Sequence, residues 1–599
     1  MRVFDRHEGV EVDLPKEIDP GRFRLLADAE LTADVRLRAG QVVLGDTWRD
    51  FLMADGAAVI KPIGRPGVTA GRLDLLELAV STLASAPEDE RVSPLMPAAV
   101  GGLAELGELE RTLLEHISHL REINQRPRMS MHYESEVAPL SRVRKLAPGA
   151  IAHLAAHSED WHRRTLSGIQ PKRILGLFSE DDLTIYENRV YARLLEKLGD
   201  YITRRLDHVA ELVKQCDEAL LLDNAEDLDY RLRTELYALW GDAFSGEETQ
   251  RLLDASKGTM QTLESLGKQV NVLRNGTLYL GVPRNLRVPE QLRETNILQH
   301  DQHYRHLRTL WLLHQQRKFG KPLTAREAVD KNLKLFEDYT LYVGMLCRRV
   351  MAEFKLLDRQ SGECWFAGRQ VTFFRQDDEW CLDFGEVRLV IVPVLGHEAP
   401  RANAGARTQR RVLVSLLAPD GEEQREGMPD STYIIVNPGD FYGLEKIRMV
   451  FEAFLWREAF SQYGKPIGRL PDKAAKWLQA KGLVQGENNQ RLAMLRPLFP
   501  KDEFEFSELL KSENLNEQTR ASIRHCAENL RALSSCRECG ARASFSASTL
   551  GFQARCPSCS ASWRLWTEQG KRIAELSVES SAARIFLSQG ARYLRLPLS

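Results

Sequence analysis

The sequence predicts a multidomain protein of the α+β class. Three observations favour this class: alternating apolar and polar residues over about the first 65 positions, apolar residues at helical spacing through the middle, and a helix–strands–helix succession between 325 and 460. The 599 residues suffice for three or four domains of about 150 residues each. The predicted domains are a β-rich N-terminal domain (1–70), a helical domain (71–320), an α/β domain (321–465), a helical segment (466–530), and a cysteine-containing domain with closing strands (531–599).

The composition is that of an ordinary globular protein. Hydrophobic residues make up 43% of the chain and charged residues 28%, and the formal net charge is -2, so any binding to nucleic acid must be local. No apolar run of about 18 residues predicts a membrane span, and the N-terminus lacks the apolar region of a signal peptide. Of nine cysteines, four lie in the C-terminal domain and the others are scattered, which favours a reducing, cytoplasmic location.

Short strands are expected at the N-terminus and helices after it. The predicted strands lie at 23–26, 35–37, 41–44 and 57–60. A helical stripe follows in the order Leu106, Leu109, Leu113, Ile117 and Leu120. Histidines recur at His153, His157, His300, His303, His306 and His314. Histidines three apart on a helix can share a metal, but no cysteine or carboxylate completes a set nearby in sequence, so polar helix faces are the favoured interpretation.

Another helix is predicted to begin between Ser179 and Tyr191. Ser179 followed by Asp182 has the form of a capping box, and a buried stripe follows Val190. Glu187 stands at the start of that stripe, where a carboxylate is usually a cap or the buried partner of an arginine. The alternative is that Glu187 is the helix-borne acid of a nuclease core.

This stretch also carries a resemblance to a known family. Lys172-Arg173-Ile174 and Tyr186-Glu187-Asn188-Arg189, followed by a long helix, resemble a bacterial domain of unknown function that accompanies McrB-like AAA+ NTPases in McrBC/LlaJI-type defence loci. The resemblance covers about residues 150–450. In that family the domain precedes a PD-(D/E)xK nuclease-like domain. The resemblance therefore implies a role in defence against foreign DNA, with an AAA+ or helicase-type partner from the same locus.

The region between 321 and 465 has the outline of a restriction-endonuclease-like core. A long helix from 325 to 357 precedes several apolar strands, and a second helix from 444 to 460 closes the block. Such a core holds Mg²⁺ through an Asp on one strand and an acid-x-Lys motif on the next.

The acids of such a core are incomplete here. Asp430 fits the first position, but the next strand, 433–438, contains no acid-x-Lys, and Asp440 and Lys446 lie beyond a Pro-Gly break. The sequence therefore predicts a degenerate, inactive nuclease-like domain. The alternative is a Mg²⁺-dependent DNA nuclease that uses Asp430 with acids from elsewhere in the chain, such as Glu187 or Asp440.

A segment rich in arginine and small residues lies near this core. Its arginines are Arg401, Arg407, Arg410 and Arg411. Because the forked donors of a guanidinium suit phosphate, the segment is a candidate nucleic-acid contact. A plain exposed loop is the alternative interpretation.

The C-terminal domain carries the most specific motif in the chain. Cys536 and Cys539 form one CxxC pair, and Cys556 and Cys559 form a second pair, with sixteen residues between the two pairs. Two such turns at the ends of a hairpin present four thiolates in a tetrahedron, which suits structural zinc, with disulfides as the alternative. Gly540 is expected to have a positive φ in the first turn. This pattern resembles a zinc ribbon, in which metal binding supplies the folding energy and four thiolates leave no open position for hydrolysis.

The same domain is locally basic. Strands at 543–546 and 552–555 complete the predicted hairpin, and Trp563 and Trp566 are expected to cover the metal turns. The acids between 531 and 573 are Glu538 and Glu568, against the basic residues Arg531, Arg537, Arg542, Arg555, Arg564, Lys571 and Arg572. A basic ribbon with aromatics can contact phosphates or dock onto a partner protein, and the sequence does not decide between them.

These patterns predict a non-catalytic component of a bacterial anti-phage or restriction-like system. It would bind DNA, or a nucleic-acid-bound partner, through the ribbon and the 401–411 segment, and would work with an AAA+ or helicase-type motor. One alternative is the Mg²⁺-dependent PD-(D/E)xK-type nuclease. The other is a scaffold in which zinc serves only to fold the C-terminal domain.

Overall fold

A computed structural model confirms the predicted mixed α+β class. It describes residues 1–32, 35–53, 56, 58–64, 67–86, 93, 95–166, 168–223, 246–316, 323–353, 363–396, 409–418, 432–467, 470–486, 492–512, 517–536, 539–548, 550–577 and 593–598. The chain divides into two compact units. Unit 1 comprises Met1–Gly102, Glu211–Leu253 and Pro322–Ser599, and unit 2 comprises Leu103–Ala210 and Asp254–Lys321. No helix among the described residues is long and apolar enough to cross a membrane.

The helices have the following bounds. They are α1 Ala70–Ser85, α2 Met96–Val100, α3 Glu108–Gln125, α4 Ala150–Ala156, α5 Tyr186–Asp223, α6 Gly246–Arg274, α7 Thr277–Gly281, α8 Asn296–His300, α9 Arg305–Gln315, α10 Ala325–Glu353, α11 Gly443–Ser461, α12 Asp472–Ala480, α13 Pro500–Ser512 and α14 Glu517–Leu533. Two short 3-10 helices, Gly101–Ala104 and Ser158–Asp160, adjoin α2 and α4.

The strands are short at the N-terminus and longer elsewhere. They are β1 Arg2–Asp5, β2 Val10–Asp13, β3 Glu17–Ile18, β4 Phe23–Leu25, β5 Ala29–Thr32, β6 Val35–Leu37, β7 Phe51–Leu52, β8 Val59–Ile60, β9 Ser130–Pro139, β10 Trp161–Thr165, β11 Gly168–Pro171, β12 Arg173–Asp182, β13 Glu363–Phe366, β14 Arg369–Gln376, β15 Glu379–Phe384, β16 Val387–Gly396, β17 Gln409–Leu417, β18 Tyr433–Ile435, β19 Val484–Gln485, β20 Ala493–Met494, β21 Ser544–Ser548, β22 Gly551–Arg555, β23 Ser562–Glu568, β24 Lys571–Ser577 and β25 Tyr593–Leu598.

The N-terminal strands of unit 1 form three small sheets. Their orders are β2-β1-β4, β3-β8-β7 and β5-β6. The pairing is antiparallel except between β3 and β8, which pair parallel. The buried core of this segment includes Val329 of helix α10. The N-terminal sheets therefore share a core with the long helix that precedes the central sheet.

The centre of unit 1 is a six-stranded mixed sheet. Its order is β13-β14-β15-β16-β17-β18, antiparallel from β13 to β16 and parallel from β16 to β18. Strand β16 is buried along most of its length, as expected for a central strand with both faces covered. Helix α10 packs on this sheet: the Tyr339 hydroxyl donates to the Val436 carbonyl at 2.8 Å, and the Trp380 indole donates to the Thr340 carbonyl at 2.8 Å. This helix–strands–helix succession agrees with the predicted outline.

A buried arginine joins the N-terminal segment to the central sheet. The Arg6 side chain is fully buried and donates to the carbonyl oxygens of Gly21 at 2.5 Å and Pro393 at 3.0 Å. Burial lowers the pKa of Arg6, while the nearby carboxylate of Glu379 opposes that shift. Residues 1–70 are therefore part of the packed body of unit 1, which the sequence pattern did not predict.

Unit 2 is a helical core with two β-ribbons. Its core consists of apolar residues from α3, α5, α6 and α9. Strands β9 and β12 pair antiparallel over ten residues each, and β10 pairs with β11. The expected capping box at Ser179 and Asp182 is therefore wrong, because both residues belong to strand β12 and helix α5 begins only at Tyr186. Parts of the range 71–320 belong to each of the two units.

Candidate metal centre and nucleic-acid interface

The four C-terminal cysteines converge on one point. One donor atom from each of Cys536, Cys539, Cys556 and Cys559 lies within 4.8 Å of the other three. The turns that carry them are fixed by backbone hydrogen bonds: the amide of Cys536 donates to the carbonyl of Ala541 at 2.8 Å, and the amide of Cys556 donates to that of Ala561 at 2.8 Å. Gly540 has a φ of 72°, as predicted, and Ser560 has a φ of 60° after the second pair.

The distances fit a metal cluster and not disulfides. The sulfur atoms of Cys536 and Cys559 lie 3.4 Å apart, as do those of Cys539 and Cys556, whereas a disulfide bond is about 2.05 Å long. A tetrahedron with metal–sulfur bonds of about 2.3 Å has edges of about 3.8 Å. Burial raises the pKa of the Cys556 thiol, but hydrogen bonds from nearby amides and thiols together outweigh burial and bring that pKa down to about 7. This cluster could hold a metal ion such as zinc.

A five-stranded antiparallel sheet follows the first pair of cysteines. Its order is β21-β22-β23-β24-β25, so the predicted hairpin is its first two strands. Trp563 is buried and its indole donates to the carbonyl of Leu533 at 2.6 Å, at the end of helix α14. Trp563 lies in the same hydrophobic core as Cys536 and Cys556, as expected for a tryptophan near the metal turns. Trp566 does not share that position, because it lies on the opposite, outer face of the sheet.

The outer face of this sheet carries an arginine–tryptophan cluster. The guanidinium of Arg564 lies 4.4 Å from the ring centroid of Trp566, and that of Arg595 lies 5.8 Å from the same ring. About half of each arginine side chain is exposed. Arg564 pairs with Glu575 at 2.9 Å and Arg595 pairs with Glu568 at 3.2 Å. We call Arg555, Arg564, Trp566 and Arg595 the ribbon face, since strand alternation places all four on one side of the sheet.

The other predicted nucleic-acid residues of the ribbon are placed differently. Arg542 is exposed and stacks on the ring of Phe499 at 4.0 Å. Arg572 is half-buried and donates to the carbonyl of Tyr463 at 2.9 Å, so it stabilises packing inside unit 1. Arg595, which sequence reasoning missed, joins the ribbon face because strand β25 pairs with β24 and sets Arg595 opposite Glu575. In the sequence, the alternation of Leu594, Arg595 and Leu596 was the pattern that could have predicted a strand with Arg595 on its outer face.

The predicted arginine segment is only partly described. Arg401 and Arg407 lie outside the described residues, whereas Arg410 and Arg411 belong to strand β17 and not to a loop. Arg411 is nearly buried, where it pairs with Glu379 and donates to the carbonyl of Arg6 at 2.7 Å. Its guanidinium thus has a structural role between the N-terminal segment and the central sheet.

The acids of the nuclease alternative belong to different parts of the chain. Asp430 lies outside the described residues, Glu187 is buried in unit 2, and Asp440 lies in unit 1 just after strand β18. Asp440 pairs with Lys446 at 2.6 Å. Beside this pair, burial raises the pKa of Glu445 to about 8. An acid and a lysine are therefore close in space, although the sequence order departs from the acid-x-Lys motif.

The residues that carry the family resemblance have structural roles in unit 2. Asn188 is fully buried and donates to the carbonyls of Arg128 at 2.8 Å and Leu183 at 3.0 Å. The hydroxyl of Tyr304 donates to Asn188 Oδ1 at 2.7 Å. The Tyr191 hydroxyl donates to the carbonyl of Leu120 at 3.2 Å. This motif anchors the start of helix α5 to the rest of unit 2.

A second group of potential metal ligands appears in unit 2. One ring nitrogen from each of His116, His119 and His306 lies within 4.8 Å of the other two. The favoured sequence interpretation, a polar helix face, missed this arrangement because His116 and His119 lie on helix α3, almost two hundred residues from His306. In the sequence, His116 and His119 are three residues apart, as are His303 and His306, and this matching spacing was the pattern that could have indicated the cluster.

The comparisons with known proteins give no relatives. No family model matches the chain, and neither a curated protein nor a solved structure matches it. The interpretation of this protein therefore depends on its own residues.

Proposed function

We propose that this chain binds nucleic acid through the ribbon face and serves as a non-catalytic component of a bacterial anti-phage or restriction-like system. The observation that supports the binding step is the pair of half-exposed arginines whose guanidinium groups lie over the ring of Trp566. An indole offers a stacking surface to any base, and flanking guanidinium groups suit phosphate oxygens. The Arg595–Glu568 ion pair is exposed on both sides, so it is worth little and Arg595 can exchange it for a phosphate. Arg564 keeps about half of its side chain exposed, although its partner Glu575 is mostly buried.

Zinc is the metal that best suits the four-cysteine cluster in this proposal. Four thiolates at tetrahedral spacing form a closed structural site, without a position for a reacting water. The metal would join the turn that precedes strand β21 to the turn between strands β22 and β23. It thereby orders the strands that present the ribbon face, while the protein's own arginines and tryptophan make the contact with nucleic acid.

Fluorescence anisotropy with labelled single-stranded and duplex DNA tests the binding step. Stacking on an aromatic side chain is worth about 1–3 kcal/mol per base, so Trp566→Ala should raise Kd about 5- to 150-fold. Trp48→Ala is the matched control, because Trp48 is 45% exposed and lies in the N-terminal segment. Equal affinity of the Trp566→Ala variant and the wild type would contradict the role of the ribbon face.

The defence role and its partner rest on the resemblance of residues 172–189. That resemblance implies an AAA+ or helicase-type ATPase from the same locus. Co-expression of the chain with the ATPase encoded beside it, followed by size-exclusion chromatography, tests this part. A stable complex supports the proposal, and independent elution of the two proteins at micromolar concentration counts against it.

A Mg²⁺-dependent nuclease is the second candidate function. The observation that favours it is the Asp440–Lys446 pair beside Glu445, whose raised pKa is of the kind found at catalytic sites. Plasmid cleavage with Mg²⁺ or Mn²⁺ by the wild type, and its loss in Asp440→Asn, would establish the nuclease. Absence of cleavage with retained DNA binding would support the non-catalytic proposal.

A further inference from the structure

Four histidines of unit 2 gather where helix α3 packs against helix α9. His116 and His119 are one turn apart on α3, His306 lies in the first turn of α9, and His303 lies just before it. The His306 ring centroid is 4.1 Å from that of His116 and 4.2 Å from that of His119. Each of these histidines is partly exposed, so the cluster is open to solvent on one side.

Imidazole nitrogens and one guanidinium make the close polar contacts of the cluster. The charged groups that act on His119 and His306 are the other histidines and Arg305, whose Nε lies 3.3 Å from His306 Nε2. Asp301, two residues before His303, is occupied by Arg128 at 2.8 Å and by the amide of His303 at 2.9 Å. Protonated imidazoles at this spacing would repel one another. Burial, followed by the neighbouring imidazoles, lowers the pKa of His306 to about 4.

We propose that His116, His119 and His306 form a second metal site, which binds a borderline divalent transition ion such as Zn²⁺. Imidazole nitrogens suit Zn²⁺, Co²⁺, Ni²⁺ and Cu²⁺, whereas Mg²⁺ and Ca²⁺ need oxygen ligands that this cluster does not supply. Three protein ligands leave one coordination position for water or another oxygen ligand. The ion would join α3 to α9, so it adds a cross-link within unit 2 that is independent of the ribbon.

In this proposal His303 does not bind the metal but forms a hydrogen bond with the ligand His119. Its Nδ1 lies 2.9 Å from His119 Nδ1, so one of the two rings donates to the other. A ligand histidine usually gives its second ring N–H to such an acceptor, which fixes its tautomer and orientation. Loss of an outer partner typically costs about 10- to 100-fold in metal affinity, and loss of a ligand should cost more. His303→Ala should therefore weaken metal binding less than His119→Gln does.

Cobalt titration of the untagged full-length protein separates this site from the four-cysteine cluster. Cobalt bound by thiolates gives a thiolate-to-metal charge-transfer absorption, whereas cobalt bound by imidazoles gives only ligand-field bands. We expect the wild type to bind cobalt at a second site without the thiolate absorption. The His119→Gln/His306→Gln variant should lose that site and retain the thiolate absorption.

A matched control comes from another histidine pair of the same unit. His153 and His157 stack at 3.9 Å but are only two, so His153→Gln should leave the second cobalt site unchanged. Zinc should also raise the melting temperature of the wild type more than that of the His119→Gln/His306→Gln variant, because an ion that binds only the folded state stabilises it. Absence of the second cobalt site in the wild type, or its persistence in the double variant, would overturn the proposal.

Discussion

Replacement of Asn188 by alanine should destabilise unit 2 more than a typical substitution does. Asn188 has no exposed surface and makes three hydrogen bonds, two from its Nδ2 to the carbonyls of Arg128 and Leu183 and one to Oδ1 from the Tyr304 hydroxyl. Alanine removes all three bonds at once. The Tyr304 hydroxyl keeps one partner, because it still accepts from the amide of Arg128 at 3.0 Å.

The expected loss follows from the groups that remain. Each buried polar group that loses its partner costs about 1–3 kcal/mol. The carbonyl groups of Arg128 and Leu183 each lose a partner and the Tyr304 hydroxyl loses one of two, so the free energy of unfolding should fall by roughly 3–6 kcal/mol. Because about 1.4 kcal/mol corresponds to a tenfold change, amides protected by unit 2 should exchange about 10²- to 10⁴-fold faster.

Hydrogen exchange followed by mass spectrometry measures this effect in unit 2 alone. The informative peptides cover helices α3 and α9, and peptides from the ribbon sheet act as the internal reference. Arg193→Ala is the control on the same helix, because Arg193 is about half exposed and should change stability by no more than about 0.5 kcal/mol. Exchange in the Asn188→Ala variant that matches the wild type would refute the structural role of the motif.

Three further predictions concern the metal, the buried Glu445 and a glycine of the five-stranded C-terminal sheet. Removal of metal by a chelator should expose Trp563 and abolish the hydrogen-exchange protection of strands β21 to β24, since metal binding supplies the folding energy of a small zinc-ribbon domain. Protection that persists after chelation would contradict the metal site. Burial raises the pKa of Glu445 from 4.5 to about 8, so the folded state binds this proton more tightly than the unfolded chain does. The free energy of unfolding should therefore fall as pH rises from 4.5 to about 8, and Glu445→Gln should remove the accompanying decline in Tm. A Cβ at Gly551 would lie 1.8 Å from the carbonyl oxygen of Leu565, so Gly551→Ala should unfold the five-stranded C-terminal sheet. Gly258→Ala is the control: a Cβ there meets open space, and alanine favours a helix more than glycine does, so Tm should rise slightly.

Local chemistry explains the parts of the fold that the sequence predicts well. The two CxxC turns, the positive φ of Gly540 and the first ribbon hairpin depend on neighbours within a few residues, and the structure has all three. Helix α10 was predicted over 325–357 and is described over Ala325–Glu353, because its apolar stripe is long and regular.

The errors occur where distant contacts decide the structure. Ser179 and Asp182 have the composition of a helix start, yet pairing with β9 places them in a strand, since ten residues of ladder outweigh a local cap. Strand β9 was not predicted, because exposed strands lack the apolar alternation that identifies a half-buried one.

The candidate sites also differ in whether local motifs or distant contacts form them. The cysteine cluster is encoded by two short motifs, whereas the histidine cluster requires the packing of α3 against α9, which no spacing in one helix reveals. The ribbon face required knowledge that β25 returns to pair with β24 and brings Arg595 near Trp566. Arg411 was assigned to a loop, and its pairing with Glu379 depends on the neighbouring strands of the central sheet.

The salt dependence of DNA affinity tests the central claim most directly. Each phosphate contact contributes about 0.7 to the slope of log K against log salt for single strands. The Arg564→Ala/Arg595→Ala variant should therefore have a slope smaller by about 1.4 than the wild type, while Arg36→Ala, which removes an exposed charge paired with Glu30 in the N-terminal segment, should leave the slope unchanged. Equal slopes for the wild type and the double variant would show that the ribbon face does not contact the nucleic acid.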